Sequence, residues 1–194
     1  MSTLEVNTIN PQSGNDVTIG GSSKNVKFPS GTTVDFSTNT PTVTLGAAMK
    51  NTPAVHAYLN ANQGSITSAT YTKVAFDTEV FDSDGNFDTS TSRFTPTTAG
   101  KYLCYTLVGN SFSGGSPDDL RCRFYFNGSQ LANMRETIFR DYGGAGLAVA
   151  LTQQVQAIIT FNGSSDYLEV YARNDGTPQF NSDSIFGAYR LLGV

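Results

Sequence analysis

YTKVAFDTEVFDSDGNFDTSTSRFTPTTAGKYLCYTLV, residues 71–108, decides the class of fold. Val74 and Phe76 stand two apart, as inward residues of a strand do. Asp84-Gly85-Asn86 is turn chemistry, and Phe87 and Phe94 flank a Ser/Thr-rich segment. After Ala99-Gly100 comes a strongly apolar run, residues 102–108. Strand signals this dense, punctuated by Gly, Pro, Asp and Asn, predict an all-β sandwich or barrel.

The same pattern continues downstream. Leu120, Cys122, Phe124 and Phe126 alternate with Arg121, Arg123 and Tyr125, and Asn127-Gly128 then fits a type I′ hairpin turn. Residues 146–151 form a short apolar run. Val155, Ala157, Ile159 and Phe161 share a face, and Asn162-Gly163 is a second hairpin signal. Residues 167–173 and 185–192 complete about eight to ten strands, enough for two packed sheets. Two runs are apolar on both faces: residues 102–108, and Leu168, Val170 and Ala172 opposite Tyr167 and Tyr171. A lone sandwich exposes a polar outer face. Two-sided apolarity therefore predicts contact with further copies of the chain, with Tyr102, Tyr105, Tyr167 and Tyr171 as the candidate subunit interface.

Residues 1–45 read differently. Apolar residues come in short pairs: Leu4 with Val6 (Ile9 follows), Val17 with Ile19, Val26 with Phe28, Val34 with Phe36, Val43 with Leu45. Gly, Ser, Asn, Pro or Thr separates them, and PQSGNDVTI at 11–19 is loosely echoed by PSGTTVDF at 29–36. Such ribbons bury no core alone; they pack on copies of themselves or on a partner. Residues 46–50 could make a helical turn, broken at Asn51-Thr52-Pro53. The expected organisation is an arm over 1–45, a linker over 46–52 and a head over 53–194.

Composition narrows the function. Charged residues make up 14% of the 194, and net charge is −4. No block of Lys or Arg exceeds two in a row, which argues against a nucleic-acid partner. No apolar run approaches a membrane span. MSTLEVNTIN lacks a basic segment followed by an apolar one, so synthesis in a cytoplasm is expected. Cys104 and Cys122 lie inside strand-like runs and read as buried thiols packing as small hydrophobes.

Candidate chemistry fails on spacing. Counting from Asp82, an EF-hand loop would need Gly sixth and Glu twelfth; Gly85 is fourth and Arg93 twelfth. The segment reads as a hairpin turn instead. His56 is the sole histidine, which excludes a histidine cluster for zinc, and no G-x-S-x-G elbow, Walker A or dinucleotide fingerprint occurs. Asp118-Asp119 would point to opposite faces of a strand. The sequons at Asn127 and Asn162 read as turns. No catalytic residue, metal or cofactor is expected. Three Gly-, Ser- and Asp-rich loops, 110–119, 141–146 and 174–183, carry isolated Phe112, Tyr142 and Phe180, and are the candidate ligand loops.

Two resemblances sharpen this. Phe94, Pro96, Gly100 and Tyr102 resemble the Phe, Pro, Gly-x-Tyr series in the globular head of complement C1q and its tumour-necrosis-factor-like relatives. PAVHAYL at 53–59 is similar to that family's first strand and SIFGAYRLL at 184–192 to its last, with Gly187 one place from the family glycine. The resemblance implies an all-β jelly-roll sandwich, forming a homotrimer. The arm phrases LEVNTINPQSG and VKFPSGTTVDF resemble N-terminal segments of tailed-bacteriophage fibre and decoration proteins. They imply a virion-surface protein: a capsid decoration (cement) protein whose arm docks on the major capsid protein. The alternatives are a short tail fibre, bound to tail or baseplate proteins and reading a host surface glycan, and a lectin-like binding module unrelated to phage.

Overall fold

The computed structural model describes Ser30 and residues 52–110, 119–132, 137–139, 151–175 and 179–191, with 137–139 given by backbone alone. The chain divides into two units, Met1–Thr44 and Leu45–Val194. All strands among the described residues belong to the second. Leu4, Val6, Ile9, Val17, Ile19, Val26, Phe28, Val34 and Phe36, the expected helical turn at 46–50, and Phe112 and Tyr142 lie outside the described residues.

In chain order the strands are β1 (Ala54–Tyr58), β2 (Thr72–Lys73), β3 (Thr78–Asp82), β4 (Phe87–Asp88), β5 (Arg93–Phe94), β6 (Gly100–Asn110), β7 (Leu120–Phe126), β8 (Ser129–Gln130), β9 (Thr137–Phe139), β10 (Leu151–Phe161), β11 (Leu168–Asn174) and β12 (Ile185–Arg190). They form two antiparallel sheets. The first runs β10-β6-β12-β1-β3; the second runs β4-β5-β11-β7-β8, with β2 also on β11 and β9 on β7. No helix occurs among the described residues. The result is a two-sheet β-sandwich, as the apolar patterning predicts, of the jelly-roll kind that the family resemblance implies.

Period-two alternation builds the core. In β6, Tyr102, Cys104, Thr106 and Val108 face inward, and in β10 Val155, Ile159 and Phe161 do. The second sheet answers with Leu120, Cys122 and Phe124 from β7 and Leu168, Val170 and Ala172 from β11. The two cysteines are free, buried thiols in opposite sheets, and burial pushes both well above the ordinary thiol range. An aromatic nucleus sits between the layers. Tyr102 and Phe161 ring centres lie 5.2 Å apart, Phe94 and Tyr102 5.7 Å, and Phe87 and Phe186 5.7 Å. Each such pair adds about 0.5–1.5 kcal/mol beyond the area it buries.

One expected hairpin forms and two do not. Asn127 and Gly128 both take positive φ, 52° and 78°, and close β7 onto β8 with Phe126 opposite Ser129, the type I′ arrangement. Asp84-Gly85-Asn86, in contrast, carries the chain from β3 in one sheet to β4 in the other. Asp82 organises this crossing: its carboxylate accepts from the Phe87 N–H at 2.7 Å and the Asp84 N–H at 3.2 Å. Asn162-Gly163 likewise joins β10 to β11 across the sandwich. Asn162 Oδ1 accepts from the N–H groups of Ser164, Ser165 and Asp166. A Cβ on Gly163 would come within 2.3 Å of the Ala99 nitrogen, so a side chain cannot fit. Turn residues signal a reversal of the chain; whether the next strand pairs or changes layer depends on long-range packing.

Candidate functional site

The outer face of the first sheet is the candidate site, and strand register lays it out in three rows. One row is Thr78, Tyr58, Ile185, Leu107 and Gln154. The next is Phe81, His56, Gly187, Tyr105 and Gln156. The third is Ala54, Tyr189, Leu103 and Ile158. None of these fourteen positions carries a formal charge apart from any proton on His56. The apolar side chains are also solvent-facing: Ile158 is 63% exposed, Val80 62%, Phe81 51% and Tyr189 38%. Val80 is the extra residue of a β-bulge, where β3 slips register between the pairs His56–Phe81 and Ala57–Glu79. The bulge puts two consecutive apolar residues at the sheet edge.

At the centre, Tyr105 lies flat across β12. A Cβ on Gly187 would sit 2.3 Å from the Tyr105 ring, so only glycine leaves room for it. Crossing that gap brings the Tyr105 hydroxyl to 3.3 Å from His56 Nδ1. The two rings meet edge-on with centres 6.4 Å apart, and Phe81 lies 6.2 Å from the imidazole on the other side. Burial raises the Tyr105 phenol above its usual range, with Tyr189 adding to the shift.

The outer face of the second sheet is built differently. The Glu169 carboxylate, 3% exposed, accepts from Lys73 Nζ at 2.7 Å and Arg93 Nη2 at 2.9 Å. The Arg93 guanidinium covers the Tyr167 ring at 3.8 Å, and that of Arg123 covers Tyr71 at 3.2 Å. Tyr125 and Tyr171 pack against each other at 4.0 Å. At the far end, Arg121 and Arg173 share the Asp119 carboxylate. This is a polar-aromatic lattice in which basic side chains share two carboxylates and cover tyrosine rings.

The four tyrosines read as one interface therefore separate. Tyr102 is fully buried in the chain's own core, and its hydroxyl donates to the Thr98 carbonyl at 2.7 Å, so it presents nothing to another subunit. Tyr167 and Tyr171 belong to the second sheet's lattice. Tyr105 alone lies on the apolar face. Phe180 is corrected too: it is fully buried and its backbone exchanges two hydrogen bonds with Gln63, so it pins its loop rather than offering a ligand contact. His56, Val80, Phe81, Ile158 and Tyr189 are the face residues that reading by segments missed. Two signals for them exist in the chain. Glu79-Val80-Phe81 breaks strict alternation, and Ile158 interrupts the outward polar series Thr152, Gln154, Gln156, Thr160 of β10. Among the described residues, no group of three or more His, Cys, Asp or Glu is placed to hold a metal ion.

Strand order and layer packing define the protein as an antiparallel jelly-roll β-sandwich of two sheets. Among solved structures the chain is similar to murine APRIL. Against the crystal form at pH 8.5 the TM-score is 0.52 at 10% identity, covering 71% of this chain and 98% of that one. Against the form at pH 8.0 it is 0.53 at 12% identity, with the same coverage. Likeness at this identity is likeness of fold. No protein-family model and no curated protein sequence matches the chain.

Proposed function

We propose that the chain is a non-catalytic structural protein of a tailed-phage virion: a capsid decoration protein whose head trimerises through the outer face of the first sheet and whose arm docks on the major capsid protein. The observation that carries the trimer is the charge-free, aromatic face just described. Monomeric proteins rarely leave a contiguous apolar surface of this kind in water. Its most exposed residues lie at opposite edges, Val80 and Phe81 on β3 and Ile158 on β10. Contact between unlike edges closes into a ring when the rotation fits, and a closed ring leaves no apolar edge free. The arm phrases support the virion location. Short apolar pairs such as Leu4/Val6 and Val26/Phe28 suit addition to a neighbour's sheet edge. Three arms on one trimer add avidity without strong single contacts.

The deciding experiment is copy number in purified particles, by quantitative mass spectrometry against the major capsid protein. A ratio within a few-fold of the capsid protein supports lattice-wide decoration. A ratio of a few per cent or less overturns it in favour of a short tail fibre. Absence from particles removes the virion reading altogether.

A further inference from the structure

We propose that His56 makes assembly through this face pH-sensitive, so that the subunits associate near neutrality and separate in mildly acidic solution. The inference rests on the self-association reading above and adds its regulation.

His56 is the only histidine in the chain, and it stands in the middle row of the face, between Phe81 on β3 and Gly187 on β12. Imidazole is the side chain that ordinarily changes charge between about pH 8 and pH 5. Its surroundings decide what that charge costs. The titratable groups facing it are the phenols of Tyr58, Tyr105 and Tyr189, with no carboxylate among them. From β3, Glu79 and Asp82 are in register with Ala57 and Val55, the inward positions of β1, and the Asp82 carboxylate is held by the turn that follows it. On β12, Arg190 follows Tyr189 and is in register with inward Tyr102. On β6, Lys101 is exposed beyond the third row and would repel a second cation. No carboxylate stands in the three rows to offset an imidazolium.

The neutral ring suits a buried contact. Its Nδ1 pairs with the Tyr105 hydroxyl, and its remaining edge is flanked by aromatic rings. In a separated subunit a protonated ring is hydrated, since His56 is only half-buried. Closing another subunit over it would strip that water without supplying a counter-charge, which is costly. A ring of identical subunits meets this penalty at every copy, so the response is steep.

Sedimentation velocity on the full chain at about pH 7.5 and about pH 5, with circular dichroism to confirm folding, tests this. The expected result is a trimer at the higher pH and a dissociation constant raised by about tenfold or more per buried imidazolium at the lower. His56→Gln retains a hydrogen-bonding partner for Tyr105 but takes no proton, and should remain trimeric at both. His56→Lys should be a folded monomer at both. A wild-type trimer unchanged at about pH 5 overturns the switch and leaves the self-association reading standing. Dissociation of His56→Gln in acid overturns it by assigning the effect to another group. A wild-type monomer at about pH 7.5 defeats both readings together.

Discussion

Tyr102 shows how one side chain's surroundings set both its packing and its ionisation. It begins the inward series of β6, stacks edge-on against Phe94 and Phe161, and gives its one donor to Thr98. Burial pushes its phenol up to about 12 from 10.0. The folded chain thus keeps a proton that the unfolded chain releases. That contribution is complete below about pH 10 and is lost as pH rises to about 12. Tyr102→Phe should cost about 1 kcal/mol at neutral pH, through the lost hydrogen bond, and should flatten the alkaline limb of a stability–pH profile. Chemical denaturation across that range measures both; a profile as steep as wild type would refute the assignment. Gly187 is the counterpart on the outer face. Gly187→Val would drive a side chain into the Tyr105 ring and should destabilise the fold by about 1–3 kcal/mol. Combining it with Tyr105→Ala should recover part of that loss, a coupling of about 0.5–3 kcal/mol in a double-mutant cycle. Simple additivity would mean the two do not share the space.

At the scale of elements, short strands depend on side chains for their place. β2 and β5 have two residues each, too few to hold a sheet position by ladder bonds. The Glu169 carboxylate ties both to β11, through Lys73 from one and Arg93 from the other. Glu169→Gln keeps the shape and removes the charge. Both partners are about a third exposed, so solvent compensates in part and the loss should be about 1–3 kcal/mol. Hydrogen exchange should show faster opening at Thr72–Lys73 and Arg93–Phe94 while β6 and β10 keep their protection. Uniform acceleration across all strands would show that Glu169 acts on global stability instead.

For the molecule as a whole, the difference between its two outer faces matters most. The second sheet presents ion pairs and guanidinium groups laid over tyrosine rings; the first leaves Val80, Phe81, Ile158 and Tyr189 to solvent. Light scattering should give about three times the 20.7 kDa chain mass at micromolar concentration. Phe81→Asp with Ile158→Asp should give the single-chain mass with unchanged circular dichroism, because surface charges at exposed strand positions leave the inner face intact. A wild-type monomer would remove the explanation for the face. Within the trimer reading, replacing Leu4, Val6, Val26 and Phe28 with Ser should abolish particle binding without altering the trimer mass. Retained binding would place docking elsewhere.

The patterning of the chain determined the class of fold and much of the core. Alternation with period two is a local property, so Leu120, Cys122 and Phe124 in β7, or Val155, Ile159 and Phe161 in β10, could be assigned inward before any strand was paired. The type I′ turn at Asn127-Gly128 was legible for the same reason, since positive φ at both positions is a demand on those two residues alone. Tertiary structure decided what alternation leaves open, namely which strands become neighbours. It sent the Asp84-Gly85-Asn86 and Asn162-Gly163 turns across the sandwich, buried Tyr102 and Phe180, and placed Tyr167 and Tyr171 on the sheet opposite to Tyr105. It also set Phe81, His56, Gly187 and Tyr105 in one row, although 131 positions separate the first and last members of that row in the chain (187 − 56). A strand specifies which of its residues share a side; only register between distant strands specifies what lies beside them.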